Sequence, residues 1–515
     1  MQIDVNEQQL QRLVDDVVQQ VKSRLNGGLA SPNGGSGIGA AASPNGNGVG
    51  AVREVSLNGG SGIGAAVARG GVSQAEDGVF GDVEAAHQGA QQAYEQLMKM
   101  TVQGREALIR AMRDAAVEHA ERLGQLAVTE TKLGRVSAKV QKILLAARKT
   151  PGTEDLDPVA YTGDDGLTLV EPAPFGVIGA ITPSTNPPST VINNAIGMIA
   201  AGNAVLVNPH PAAKEVSNET VRVLNRAIVN AGGPAHLICS IAEPTMESGQ
   251  AVMAHPGIKL LMVTGGGGVV KAAMTCGKKT VAAGPGNPPV IVDDTANLTR
   301  AGRNIVDGAA FDNNVLCIAE KEVFVFANVA DRLKAEMLRH GATEISGRQR
   351  DALVERCLDL TDPKHPKARR EMVGKDAAVL LSEIGVSAHP DVRLIITEVD
   401  DPAHPLVQAE QLMPFLPIVR AADLDEALAW ALDAEHGFGH TAVMHSEHVT
   451  RMSRVARAVE TSIFVKNAPS YAGLGFGGEG FTTLSIATPT GEGLTSARTF
   501  TRQRRCVLAG AFRII

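Results

Sequence analysis

Three short strings of this chain carry residue types that could do chemistry. Cys317 follows Phe311-Asp312-Asn313-Asn314-Val315-Leu316 and precedes Ile318-Ala319-Glu320-Lys321. A thiol in such a string is either a small apolar filler or a nucleophile that attacks as thiolate. The second string is an apolar run, Val177-Ile178-Gly179-Ala180-Ile181, followed by the turn Thr182-Pro183-Ser184-Thr185-Asn186-Pro187. A carboxamide on a rigid turn can donate to a developing oxyanion. The bland alternative is that Asn186 caps the next helix. In the third, Val263-Thr264 runs into Gly265-Gly266-Gly267-Gly268. Bare glycines let backbone amides approach a pyrophosphate at a helix N-terminus. A further run, Val205-Leu206-Val207, ends in Asn208-Pro209-His210-Pro211, the kind of strand-end loop where an open α/β sheet takes its ligands.

These strings need a scaffold, and the chain supplies an alternation. Residues 82–150 read as long helices, with Leu108, Ile109, Met112, Ala115 and Ala116 at helical spacing. From Leu167 apolar strands alternate with helical stretches, including Leu260-Leu261-Met262-Val263 and Val290-Ile291-Val292. That pattern predicts parallel α/β layers. Strand-like runs at Val323-Phe324-Val325-Phe326 and Leu394-Ile395-Ile396 predict a second α/β unit after residue 295. Before the globular body, residues 1–25 read as one amphipathic helix, with Leu10, Leu13, Val14, Val17, Val18, Val21 and Leu25 on one face. Residues 26–75 repeat a Gly/Asn/Ser pattern that cannot offset its ordering entropy by burial, and read as a flexible linker. A helix on such a tether is expected to dock on a partner; the alternatives are packing on its own body or an expression remnant.

Bulk numbers narrow the class. At 515 residues the chain is too long for one core. A net charge of −7 offers no footprint for nucleic acid, and no apolar run approaches a membrane span. Five scattered cysteines suggest a reducing compartment. His436, His440, His445 and His448 have the count of a metal cluster, yet Gly437 and Gly439 break any helix through them, so no metal is expected. Arg502, Arg504 and Arg505 suit a subunit contact or the phosphates of a ligand.

Taken in order, the Asn186 turn, the Gly202-Asn203 strand, the Thr264-Gly265 turn, the 282–290 segment and Cys317 resemble the aldehyde dehydrogenase superfamily. Within it the chain is similar to the CoA-acylating, propionaldehyde dehydrogenase type of bacterial microcompartments. Thr150-Pro151-Gly152-Thr153-Glu154-Asp155-Leu156, His436-Gly437-Phe438-Gly439-His440-Thr441-Ala442 and the Arg498–Leu508 stretch carry that likeness, which runs from about Gly78 to the C-terminus. The resemblance implies a Rossmann-type nucleotide-binding domain over 76–282, a catalytic domain over 283–475 and a C-terminal segment, 476–515, at a subunit contact. It makes Cys317 the nucleophile and Asn186 the oxyanion donor. It places Ile181, Thr182, Pro183, Ser184, Asn208, His210, Thr264, Gly265, Gly266, Ala282 and Glu410 around NAD, with NADP open. The tail resembles an encapsulation peptide, which implies a cytoplasmic enzyme inside a microcompartment, meeting shell or cargo proteins through residues 1–25. A homo-dimer or tetramer is expected.

The departures from the family pattern sharpen the chemistry. Hydrolytic members carry a glutamate base where this chain has Ala282, in Ala282-Ala283-Gly284-Pro285-Gly286-Asn287. Without that carboxylate nothing evident activates water, and a thiol acceptor is favoured. The lysine and glutamate that grip the adenosine ribose in many relatives are replaced by Asn208, His210 and Pro211. The glutamate near the nicotinamide ribose aligns with Gln411, beside Glu410. The expected reaction is oxidation of a short aldehyde, propionaldehyde-like, to its acyl-CoA. Acetaldehyde or lactaldehyde as substrate, or plain acid formation, are the alternatives.

Overall fold

The computed structural model describes residues 77–362 and 365–514. The expected 1–25 helix and 26–75 linker lie outside them. After β1 (Val79–Phe80) come four helices: α1 (Val83–Leu97), α2 (Val102–Glu118), α3 (Ala120–Thr131) and α4 (Val136–Lys149). In α2, Thr101 caps the first turn by accepting from the Gly104 amide. Its Leu108, Ile109, Met112 and Ala116 are buried one turn apart, each large side chain contributing about 1.5–3 kcal/mol.

A hairpin, β2 (Val159–Gly163) and β3 (Gly166–Pro174), is antiparallel. The chain then alternates as expected: β4 (Val177–Ile181), α5 (Pro187–Ala200), β5 (Ala204–Asn208), α6 (Lys214–Asn230), β6 (Ile238–Ile241), α7 (Met246–Ala254), β7 (Ile258–Thr264), α8 (Gly267–Thr275) and β8 (Lys279–Ala283). These strands form one parallel sheet in the order β1-β6-β5-β4-β7-β8. The order reverses at β4, so the crevice for a ligand opens at the carboxyl ends of β4, β5 and β7. Every residue of α5 is buried, which suits a helix apolar on nearly all faces.

The second parallel sheet holds β9 (Pro289–Val292), β10 (Glu322–Phe326), β11 (Ala342–Glu344), β14 (Leu394–Glu398), β15 (Phe415–Ala421), β16 (Thr441–His445) and β17 (Ile463–Lys466); a small hairpin, β12 (Leu358–Asp359) with β13 (Lys367–Ala368), interrupts it. Its order is β11-β14-β15-β10-β9-β16-β17. The run Val290–Val292 therefore belongs to this sheet, between β10 and β16, and the second unit begins earlier than residue 295. Local pattern cannot reveal this, because a doubly covered parallel strand reads the same in either sheet. After a short pair, β18 (Ile486–Ala487) and β19 (Gly493–Leu494), the last strand β20 (Thr501–Ala509) pairs antiparallel with β3. No helix among the described residues is long and apolar enough to cross a membrane.

Candidate active site

The crevice at the end of β4 gathers most of the expected dinucleotide residues. Ile181 closes β4 and Asn208 closes β5, and the Thr182 amide donates to the Asn208 carbonyl at 3.3 Å. The buried Thr182 Oγ1 finds no partner among the described residues, a donor and acceptor left for a ligand. Pro183 and Ser184 are half-buried on the turn beyond. Asn208 Oδ1 accepts from Ser248 Oγ at 2.6 Å, and His210 Nδ1 accepts from the Ala212 amide. Burial holds the His210 imidazole below its usual pKa.

Thr264 ends β7, Gly265 turns, and Gly266 is the N-cap of α8 without any side-chain cap bond. A Cβ on Gly266 or Gly267 would meet nothing within 4 Å. The start of this helix is thus sterically open to a pyrophosphate, and the residues present fit a dinucleotide. Ala282 differs from the rest. It sits within β8 opposite Val263, fully buried, its amide bonded to Thr490 Oγ1. Its methyl packs in the core of the first sheet, so it lines the crevice only by holding β8 in place.

The Cys317 loop leaves α9 (Leu298–Ala309) through three successive residues of positive φ, Asp312 at 51°, Asn313 at 53° and Asn314 at 66°. Asp and Asn are the side-chain-bearing residues that tolerate this region best, which explains the Asp-Asn-Asn string. Tertiary bonds hold the strained backbone. Asn313 Nδ2 donates to the Gly374 carbonyl at 2.9 Å. Asn314 Nδ2 donates to the carbonyls of Ala309 and Glu320. The buried Lys321 ammonium donates to Asn314 Oδ1 and to the Leu316 carbonyl.

Asn186 stands at the N-cap position of α5 but makes no cap bond. The helix-cap alternative is therefore set aside. Its Oδ1 instead accepts from Lys142 Nζ at 2.5 Å, and its Nδ2 has only a 3.4 Å contact with Thr185 Oγ1. Lys142, on α4, also donates to the Val315 carbonyl at 3.0 Å and pairs with Asp312 Oδ2. Lys139, one turn earlier, pairs with the same oxygen at 2.7 Å and donates to the Thr185 carbonyl. Asp312 Oδ1 accepts from the Arg135 amide at 2.8 Å. A Cβ on Gly134 would lie 2.0 Å from that oxygen, so only glycine permits this approach. One buried ion cluster thus ties α4, the Asn186 turn and the nucleophile loop together.

Cys317 is partly exposed but closely surrounded, and burial followed by the nearby Glu410 pushes its thiol up to about 11. Lys321 and Lys142 pull the other way. Glu410, raised by burial and held by Lys321 and the Gly286 amide, is the half-buried carboxyl beside the thiol. Gln411 is buried and donates to the carbonyls of Lys321 and Leu406, a structural role. Between these neighbours, Glu410 is the one placed to meet a ligand.

His440 also lies here. A Cβ on Gly286 would be 2.8 Å from the His440 ring and 3.0 Å from the Cys317 carbonyl oxygen, so the glycine is the spacer between them. Burial lowers this imidazole to about 4, its Nδ1 bonds Thr441 Oγ1, and its Nε2 has no partner among the described residues. His436 and His448 have separate tasks: His436 ends a helix at positive φ, and His448 caps the next one.

Beside the loop is a small apolar pocket lined by Leu145, Phe311, Leu316, Tyr471, Phe476 and Leu484. Phe311, Tyr471 and Phe476 contact one another with ring centroids 5.1–5.8 Å apart.

Sequence reasoning passed over Lys139 and Lys142, and gave Asp312, Lys321 and His440 no role beside Cys317. The signal for the first two was available: two lysines three apart, in a helix whose Val140, Ile143 and Ala146 are core, break the apolar pattern. Charged residues on such a face are buried only with partners.

The chain was compared with known proteins. The model of the aldehyde dehydrogenase family matches residues 70–487. An acetylating acetaldehyde dehydrogenase of Bilophila wadsworthia is 48% identical over 87% of this chain and 94% of its own. A CoA-propanoylating propanal dehydrogenase of Salmonella typhimurium is 46% identical over 85% of this chain and 93% of its own. The propionaldehyde dehydrogenase from the Clostridium phytofermentans fucose utilisation bacterial microcompartment superposes with a TM-score of 0.83 at 47% identity, over 85% of this chain and all of that one. A Rhodopseudomonas palustris propionaldehyde dehydrogenase solved with bound CoA and an acylated cysteine gives 0.83 at 44%, over the same shares. With the Asn186 turn and the Cys317 loop tied to the same buried lysines in one α/β body, the chain belongs to the aldehyde dehydrogenase family.

Proposed function

We propose that the protein oxidises a short-chain aldehyde, propionaldehyde or a near relative, to its acyl-CoA through a thioester on Cys317. The observation that carries this is the Asn186 amide and the loop leading into Cys317 held about one buried ammonium, with no carboxylate at position 282. The Cys317 thiolate attacks the carbonyl carbon. The oxyanion accepts from Asn186 Nδ2 and the Cys317 amide. A nicotinamide dinucleotide, when bound, supplies the two-electron acceptor. Ile181, Thr182, Pro183, Ser184, Asn208, His210 and the 264–266 turn would hold it, with Glu410 near its reactive end. NAD is the proposed acceptor and NADP the alternative; Asn208 Oδ1 is already engaged by Ser248.

The acyl group then leaves Cys317. The buried Ala282 methyl cannot deprotonate water, so the coenzyme A thiolate attacks the thioester carbon and releases the Cys317 thiolate. The apolar aromatic cluster beside the loop, Phe311, Tyr471 and Phe476, favours an aliphatic over a charged substrate. Acid formation should therefore depend on CoA hardly at all, being slow either way, while acyl-CoA formation requires it. The test is steady-state product analysis with propionaldehyde and NAD, with and without CoA. Free acid forming without CoA as fast as acyl-CoA forms with it would overturn the reading.

Two further features support an assembled enzyme. The β2-β3-β20 sheet exposes Val159, Tyr161, Val507 and Leu508, a face suited to a second copy of the chain. Residues 1–25 are proposed to dock on microcompartment shell or cargo proteins. A chain lacking them is expected to keep its soluble activity and to lose cosedimentation with purified shells. Loss of soluble activity would instead make that segment part of the catalytic body.

A further inference from the structure

We propose that Lys142 is a positioning residue, which orients the Asn186 amide and fixes it in register with the Cys317 loop. The inference rests on the reading of Asn186 as the oxyanion donor. An amide can face the substrate with either end, and only its NH2 end can donate to an oxyanion. The Lys142 ammonium carries donors alone, and it lies 2.5 Å from Asn186 Oδ1. Turning the amide over would set NH2 against ammonium, donor against donor. The lysine thus selects the orientation in which Nδ2 is nearly unengaged. The same ammonium reaches the Val315 carbonyl, two residues before Cys317, and the Asp312 carboxylate that starts the loop. The Asn186 turn and the Cys317 loop are over a hundred residues apart, and Lys142 bonds the Asn186 amide on one side and the Val315 carbonyl on the other.

The alternative is that Lys142 only neutralises Asp312. Lys139 and the Arg135 amide already serve that carboxylate, so neutralisation does not require a second lysine aimed at Asn186.

A double-mutant cycle on the full chain separates the two, using Lys142→Met, Asn186→Ala and the pair, assayed with propionaldehyde, NAD and CoA. Each single change is expected to lower kcat on the order of 10²-fold, with the aldehyde KM moving less than about threefold. The double variant should lose no more than Asn186→Ala alone, because Lys142 acts through that amide. Multiplied losses in the double variant would overturn the proposal while leaving Asn186 as donor. An Asn186→Ala enzyme with unchanged kcat would instead overturn the oxyanion reading, and this inference with it. Should Lys142→Met not fold, Lys142→Arg keeps the charge and displaces the donor. The same non-additivity is then expected, and its absence counts against the proposal equally.

Discussion

Replacing Cys317 with alanine is expected to abolish acyl-CoA formation, a loss on the order of 10⁶-fold in kcat. The covalent adduct is what makes the two-electron loss and the later thiol exchange possible, and no other sulfur can substitute. Cys239 and Cys357 are buried, and desolvation raises both thiols, Cys357 to about 12. Cys276 lies at the end of α8 and Cys506 on the exposed β20. The readout is NADH absorbance with propionaldehyde and CoA, alongside an intact unfolding transition. Turnover retained within tenfold of the parent would sink the covalent mechanism. A pH arm adds information. Burial and Glu410 push the thiol up to about 11, so its thiolate fraction is small at neutral pH in the free enzyme. Alkylation of Cys317 by iodoacetamide should accelerate about tenfold per pH unit until near that value. A plateau already at pH 7 would mean that Lys142 and Lys321 outweigh desolvation.

The second large effect concerns Asp312. Asp312→Ala is expected to destabilise the fold by about 3–5 kcal/mol, the usual result of orphaning a buried partner. Lys139 and Lys142 would both lose their counter-ion, and alanine would also pay about 1 kcal/mol to hold positive φ. Asp312→Asn separates these costs, since asparagine tolerates the backbone but brings no charge. Lys142 sets the sign of the pH dependence. Burial already draws its pKa down against the pull of Asp312. In the variant it falls further, so the unfolded chain binds more protons than the folded one between that value and the ordinary lysine range. The parent makes the same gain above about 7, where its own Lys142 loses its proton, so the deficit relative to the parent should shrink as pH rises toward about 7 and stay level above it. Urea unfolding at several pH values measures it. A deficit below about 0.5 kcal/mol would mean that the cluster contributes no more than a surface pair.

Much of the site was legible because its chemistry-bearing residues lie in short local strings. The Val177–Ile181 strand with its proline-bounded turn, the Thr264-Gly265 turn and the Asp-Asn-Asn lead into Cys317 each combine a periodicity with residues suited to one backbone conformation. Such strings are read without knowing what packs on them. Ala282 was equally legible, since a missing carboxylate is a fact of residue type.

What the sequence determined by itself was therefore an ordered set of reactive and ligand-facing residues on alternating strands and helices, together with its family likeness. Tertiary structure alone decided that Asn186 leaves its helix uncapped and which end of its amide Lys142 engages. It also decided that His440 stands one glycine away from the Cys317 backbone. The physical reason is distance along the chain. The Lys142–Val315 bond closes 173 residues and the Arg135–Asp312 bond 177, and both depend on α4 packing beside the nucleophile loop. Buried ion partners of that kind leave only a weak mark in the local pattern: two lysines where an apolar face calls for none.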